Sequence, residues 1–110
     1  MLLFTSEAAG GARSYGIVEI QTDDGRRGYG EPYAAVNMPS ACHAAVAVLA
    51  DEMVGRPADP ATLARRLYAL TEYFDHGGLV FCVVGAIEWA LHDLAAQRAG
   101  QPLHRYLNAA

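Results

Sequence analysis

At 110 residues, with 53% hydrophobic and 18% charged side chains, the chain has the composition of one folded domain and falls far short of the ~250 residues of an eight-stranded β/α barrel. A formal charge of −4, with all eight basic residues being scattered arginines, excludes the basic face that binding to nucleic acid requires. Met1-Leu2-Leu3-Phe4 has no basic flank and its apolar run stops at once, so neither a signal peptide nor a membrane span is expected, and a cytoplasmic location follows. Cys42 and Cys82 belong to no metal-type or redox-type spacing and read as two buried free thiols.

In chain order, residues 1–14 predict a short, truncated strand and then a loop, with Gly10-Gly11 as the breaker. From Tyr15 the pattern alternates, with Val18 and Ile20 on one face and Ile17 and Glu19 on the other. Asp23-Asp24-Gly25 supplies a turn, and the return segment places Gly28 and Gly30 where another backbone is expected to approach closely. Residues 15–31 therefore form a hairpin.

Three helices are predicted over residues 40–107. Ser40 is the expected N-cap of an Ala/Val-rich helix running toward Val54, with Gly55 at its end. Asp59 before Pro60 starts the second, whose apolar stripe is Leu63, Leu67, Leu70 and Phe74, with Arg65, Arg66 and Glu72 off it. Asp75-His76-Gly77-Gly78 breaks it. The third carries Val80, Val83, Val84, Ile87, Leu91 and Leu94 at helical spacing and stops at Gly100 and Pro102, before a short terminal turn. A hairpin followed by helices is an α+β order.

The third helix carries more than periodicity. Ala86-Ile87-Glu88, Ala90-Leu91, Asp93-Leu94 and Pro102-Leu103, with Leu107 following, resemble the signature helix of the enolase superfamily, in its mandelate racemase/muconate lactonizing enzyme branch. The segment Gly16 to Gly25 with Gly28-Tyr29-Gly30-Glu31 resembles the hairpin of that family's amino-terminal domain. The likeness runs from about Tyr15 to Leu107, and it implies an antiparallel hairpin or meander followed by a three-helix bundle, an enolase-type capping domain without its barrel.

The family's reaction is abstraction of the proton α to a carboxylate, with Mg²⁺ stabilising the enediolate and a Lys or His as base. The resemblance places these groups on the barrel, so no metal and no catalytic residue is expected in this chain, while Mg²⁺ is expected in a complete racemase, epimerase, cycloisomerase or sugar-acid dehydratase. Two cap loops choose the substrate in such enzymes, and they map to Phe4 through Arg13 and Pro32 through Pro39. Phe4, Tyr33, Asn37 and Met38 are the candidate substrate contacts, against the alternative that Tyr33 and Met38 pack on the Ser40 helix. Glu31, Glu88 and Asp93 are structural signature positions, with Glu31 expected to bond to backbone near the domain interface.

Glu88 and His92 share a helix face at i and i+4 and read as a polar flank pair. His43, His76 and His104 have no partner at metal-ligand spacing. The expected partners are a β/α-barrel domain that is absent from this chain, or further copies of the chain meeting through exposed apolar surface, with a carboxylate substrate in the complete enzyme. A non-catalytic interaction or oligomerisation module is the alternative function.

Overall fold

The computed structural model describes residues 2–8 and 11–108, with side chains from Ser14 onward. Three antiparallel strands come first: β1 (Leu2–Ala8), β2 (Gly11–Gln21) and β3 (Arg27–Gly30), in the order β1-β2-β3. They are followed by a 3₁₀ turn (Tyr33–Val36) and by helices α1 (Pro39–Ala50), α2 (Pro60–Thr71), α3 (Leu79–Arg98) and the short α4 (Leu103–Asn108). A meander followed by a three-helix bundle is the α+β arrangement expected from the sequence.

The first 14 residues differ from expectation. The short strand expected there is Leu2–Ala8, but where a loop was expected Gly11–Ser14 already belongs to β2, and the ladder runs from Leu2 opposite Ile17 to Ala8 opposite Gly11. The hairpin expected from Tyr15 therefore begins earlier. The small and polar residues that suggested a loop, Thr5, Ser6, Ala12 and Ser14 among them, sit in a ladder held by backbone pairing, which asks little of side-chain hydrophobicity.

The sheet lies on α3, and glycine makes this possible. A Cβ at Gly30 would meet the carbonyl oxygen of Ala86, and one at Gly28 would meet that of Ala90, both far inside the 3.0 Å limit of real Cβ contacts. Val18 pairs with Gly30 and Ile20 with Gly28, so the apolar face of β2 and the bare face of β3 both turn toward the helix. The outer edge of β3 is then closed by α3 side chains: Tyr29 N–H donates to Asp93 Oδ2 at 3.1 Å, and Gln97 Nε2 donates to the Arg27 carbonyl at 2.7 Å. A carboxylate and an amide one helical turn apart satisfy a donor and an acceptor of the exposed strand edge.

The core centres on α3, where Val83, Val84, Ala86, Ile87, Ala90, Leu91 and Leu94 are buried against Leu63 and Leu67 of α2, Val18, and Cys42 and Leu49 of α1. With 20 residues and a mean hydropathy of 1.6, α3 is long and apolar enough to cross a membrane. Its apolar residues are spent on this core instead, as befits the central helix of a layered domain. It ends on Gly100 at φ 65°, with Gly100 N–H bonded to Gln97 O and Gln101 N–H to Ala96 O, the paired bonds of a Schellman stop.

Helix starts divide between expectation and correction. Asp59 accepts from Thr62 N–H at 2.8 Å with Pro60 following, as predicted. The first helix starts two residues earlier than predicted, with Met38 in place of Ser40 as N-cap and Pro39 in the first turn, because Pro supplies the helical φ and needs no donor there. Leu70 and Phe74 are exposed, not part of the buried stripe. The helix closes at Thr71, so Phe74 lies beyond the period, and the buried arc is Leu63, Ala64, Leu67 and Thr71.

The start of α3 rests on Asp75, whose carboxylate accepts the N–H groups of Gly77, Gly78, Val80 and Phe81. These bonds, that of Gly78 foremost, hold its carboxyl below the ordinary value of 3.8. A depressed folded-state pKa contributes stability that is present above the unfolded value and lost as pH falls through the folded one. The melting temperature of an Asp75→Ala variant should therefore be lower than that of the parent at neutral pH. The gap should close as pH is taken below about 4, where the parent's carboxylate protonates as well. A gap independent of pH would contradict this.

Candidate functional site

The Pro32–Pro39 segment predicted as a lid loop is an ordered turn. Buried Pro32 leads into the 3₁₀ helix, in which Ala35 is fully buried and Ala34 N–H donates to Cys82 Sγ on α3 at 3.3 Å. Asn37 N–H and Met38 N–H both return to the Ala34 carbonyl, at 3.2 and 2.8 Å. These anchors leave the outward side chains free: Tyr33 is 79% and Met38 54% exposed, and Asn37 is exposed beside them. Tyr33 therefore does not bury its ring against α1. An aromatic ring, an amide and a thioether stand on one rigid turn, which is how a protein presents contact groups at low entropic cost.

Phe4 is placed differently. Its backbone sits in β1 opposite Tyr15, on a strand and not in a loop, and its side chain lies outside the described residues. Glu31, just before the turn, is exposed. Among the described residues its carboxylate has no hydrogen-bond partner, so the backbone bond expected of it is not found.

The signature acids have structural work. Asp93 closes the β3 edge as above. Glu88 accepts from the Tyr68 hydroxyl at 2.8 Å, joining α2 to α3, and stands 3.8 Å from His92 Nε2. Burial and this acidic acceptor push the Tyr68 hydroxyl up to about 12, so it stays a donor at any physiological pH. The Tyr68–Glu88 bond joins residues of two helices, and no spacing rule along one helix reveals it. Both cysteines are free thiols, but only Cys42 is fully buried, and its burial foremost, then neighbouring Cys82, pushes its thiol up from 9.0. Cys82 is half-buried.

Among the described residues no three His, Cys, Asp or Glu side chains converge as a metal site would need. Two hollows remain. One of about 620 Å³ lies between α3 and α4, beside Trp89, His92, Leu103, His104 and Leu107. The other, about 690 Å³, runs between β2 and α1. Glu88 and His92 flank the first, and Glu19, Asp23, Asp24, Arg56 and Arg98 line the rim of the second.

An antiparallel meander laid through glycines onto a central helix, followed by a three-helix bundle, defines an α+β domain. The family description "Mandelate racemase / muconate lactonizing enzyme, N-terminal domain" matches residues 4–107, and the chain belongs to that family.

Solved structures agree. A mandelate racemase/muconate lactonizing enzyme from Bordetella bronchiseptica is 30% identical, with a TM-score of 0.82 over 96% of this chain and 31% of its own. A candidate isomerase from Sinorhizobium meliloti is 34% identical, with a TM-score of 0.78 over 88% of this chain and 26% of its own. An enolase-superfamily member from Agrobacterium tumefaciens is 30% identical, with a TM-score of 0.80 over 89% of this chain and 26% of its own. The chain thus spans about a quarter to a third of the length of these relatives. No curated protein matches it.

Proposed function

We propose that this chain is the capping, substrate-selecting domain of a Mg²⁺-dependent enolase-superfamily enzyme that removes the proton α to a carboxylate, with racemisation, epimerisation, cycloisomerisation or dehydration as its outcome. The observation that carries the reading is the projecting 3₁₀ turn, whose backbone is anchored to α3 while Tyr33, Asn37 and Met38 stand free. A cap of this kind excludes water and places contacts on the distal end of a substrate. Its partner in this reading is a β/α barrel that also covers exposed side chains such as Trp89, Tyr73 and Phe74.

Among the described residues the acids and histidines do not converge as a Mg²⁺ site would need, and in this reading the ion and the base are supplied by the barrel. A cytoplasmic location is part of the same proposal. The test is a chimaera in which this chain replaces the matching domain of the Bordetella bronchiseptica protein. With an accepted carboxylate substrate, Tyr33→Ala should lower kcat/KM by about tenfold through lost distal contacts. An unchanged kcat/KM would remove Tyr33 from the lid.

A further inference from the structure

The turn that carries the proposed contacts has no positive charge to offer. Its segment, Glu31 to Pro39, contains no Arg, Lys or His, and Glu31 at its entrance is exposed and acidic. The two arginines that precede it on the hairpin are engaged elsewhere, Arg26 with Asp24 and Arg27 with Glu19 at 3.8 Å. What the turn presents is neutral and polar. The Tyr33 hydroxyl both donates and accepts, the Asn37 amide donates through nitrogen and accepts through oxygen, and both side chains are exposed. Exposed Met38 adds an adaptable apolar contact.

The far end of a substrate closed under such a turn gives up its water, and three kinds of end fare differently there. A second carboxylate would be desolvated with no cation from the turn to meet it and with Glu31 at the entrance, which is the costly form of charge burial. A methyl or aryl end would leave the Tyr33 hydroxyl and the Asn37 amide unpaired against apolar surface. A hydroxyl-bearing carbon satisfies both groups. Its O–H donates to the Asn37 oxygen or the Glu31 carboxylate, its oxygen accepts from Tyr33 or the Asn37 nitrogen, and its C–H face packs on Met38.

We propose that the turn selects a polyhydroxy monocarboxylate, an aldonate-type acid whose far end is a neutral, hydroxyl-bearing carbon, over a dicarboxylate or an acid with an apolar end. Tyr33 and Asn37 are the specificity-determining pair, and Glu31 disfavours a second anion. The assignment rests on the capping reading, which brings the turn against the substrate.

The probes are matched six-carbon acids that differ only at C6: an aldonate (CH₂OH), its 6-deoxy analogue (CH₃) and the corresponding aldarate (COO⁻). Each is titrated, with Mg²⁺ present, into the folded chimaera on the Bordetella bronchiseptica barrel. The aldonate should bind at least about tenfold more tightly than either of the others, as expected for a lost hydrogen bond or two, or for an unpaired charge. Asn37→Arg, at an exposed position, supplies the missing cation and should move the aldonate-to-aldarate ratio toward the aldarate by about tenfold or more. Tyr33→Phe should erase most of the preference over the 6-deoxy acid. A graft of residues 31–39 alone into the matching segment of the Bordetella protein carries the same comparison if the domain exchange does not fold. A preference for the aldarate or the 6-deoxy acid, no binding of the aldonate, or a ratio indifferent to Asn37→Arg would each overturn the assignment. The capping reading survives those outcomes if the chimaera still exchanges the α-protons of acids that its parent accepts. A folded chimaera inert toward those acids as well would remove both.

Discussion

Gly30→Ala is expected to cost about 3 kcal/mol or more, among the largest effects available to a single methyl group. The new Cβ would collide with the Ala86 carbonyl oxygen, which is helix backbone and cannot swing aside as a side chain would. Relief requires β3 to lift from α3, and lifting it breaks the Tyr29–Asp93 and Arg27–Gln97 bonds as well. Against a total stability of ~5–15 kcal/mol for a domain, this is a melting-temperature fall of roughly 12–20 °C. Gly85→Ala is the internal control: Gly85 is on the same helix with nothing within 4 Å of a built Cβ, and the change should stabilise by up to about 1 kcal/mol through helix propensity. Equal effects of the two changes, followed by thermal denaturation, would contradict the close-approach account.

Leu91→Ala should cost about 3–4 kcal/mol. Leu91 is fully buried in α3, and truncating a buried leucine loses the transfer energy of its side chain and leaves a cavity whose walls relax only in part. The residue also lies at the bottom of the open groove beside β2, so water has a short route to the space created. Urea denaturation should show a lower midpoint with a similar slope. A loss below about 1 kcal/mol would mean that Leu91 is not packed as described.

Residue pattern carried the helical half of this fold well and the strand half partly. The run Val83, Val84, Ile87, Leu91, Leu94 reads as a buried helix because its period is 3.6 and its stop signals are local, and Gly28 and Gly30 announce a close neighbour because strands rarely tolerate bare positions without one. β1 was legible only as a short strand, and the start of β2 was read as loop, because residues 5–8 and 11–14 hold their ladder through backbone pairing between small and polar residues. Phe74 misled because apolar spacing cannot tell where a helix ends, and Leu70, inside α2, because it lies just off the buried arc of Leu63, Leu67 and Thr71.

The candidate contact residues are legible only as a segment. Tyr33, Asn37 and Met38 follow from the place of their segment after the Gly-Tyr-Gly-Glu strand, whereas their exposure depends on Pro32, Ala35 and Cys82 fixing the turn from beneath. Asp75 and the Tyr68–Glu88 pair went unread for a related reason. The first looks like a breaker and is a cap; the second joins two helices 20 residues apart.

The central claim is that this domain selects substrate while the chemistry is supplied from a barrel, and α-proton exchange tests it most directly. Carboxylic acids bearing an α-hydrogen are incubated in D₂O with Mg²⁺ and followed by NMR, with the 110-residue chain alone and with the chimaera on the Bordetella bronchiseptica barrel. The account predicts no exchange above background with the chain alone and Mg²⁺-dependent exchange with the chimaera. Exchange by the chain alone, or a folded chimaera inert toward acids that the parent Bordetella protein turns over, would contradict it.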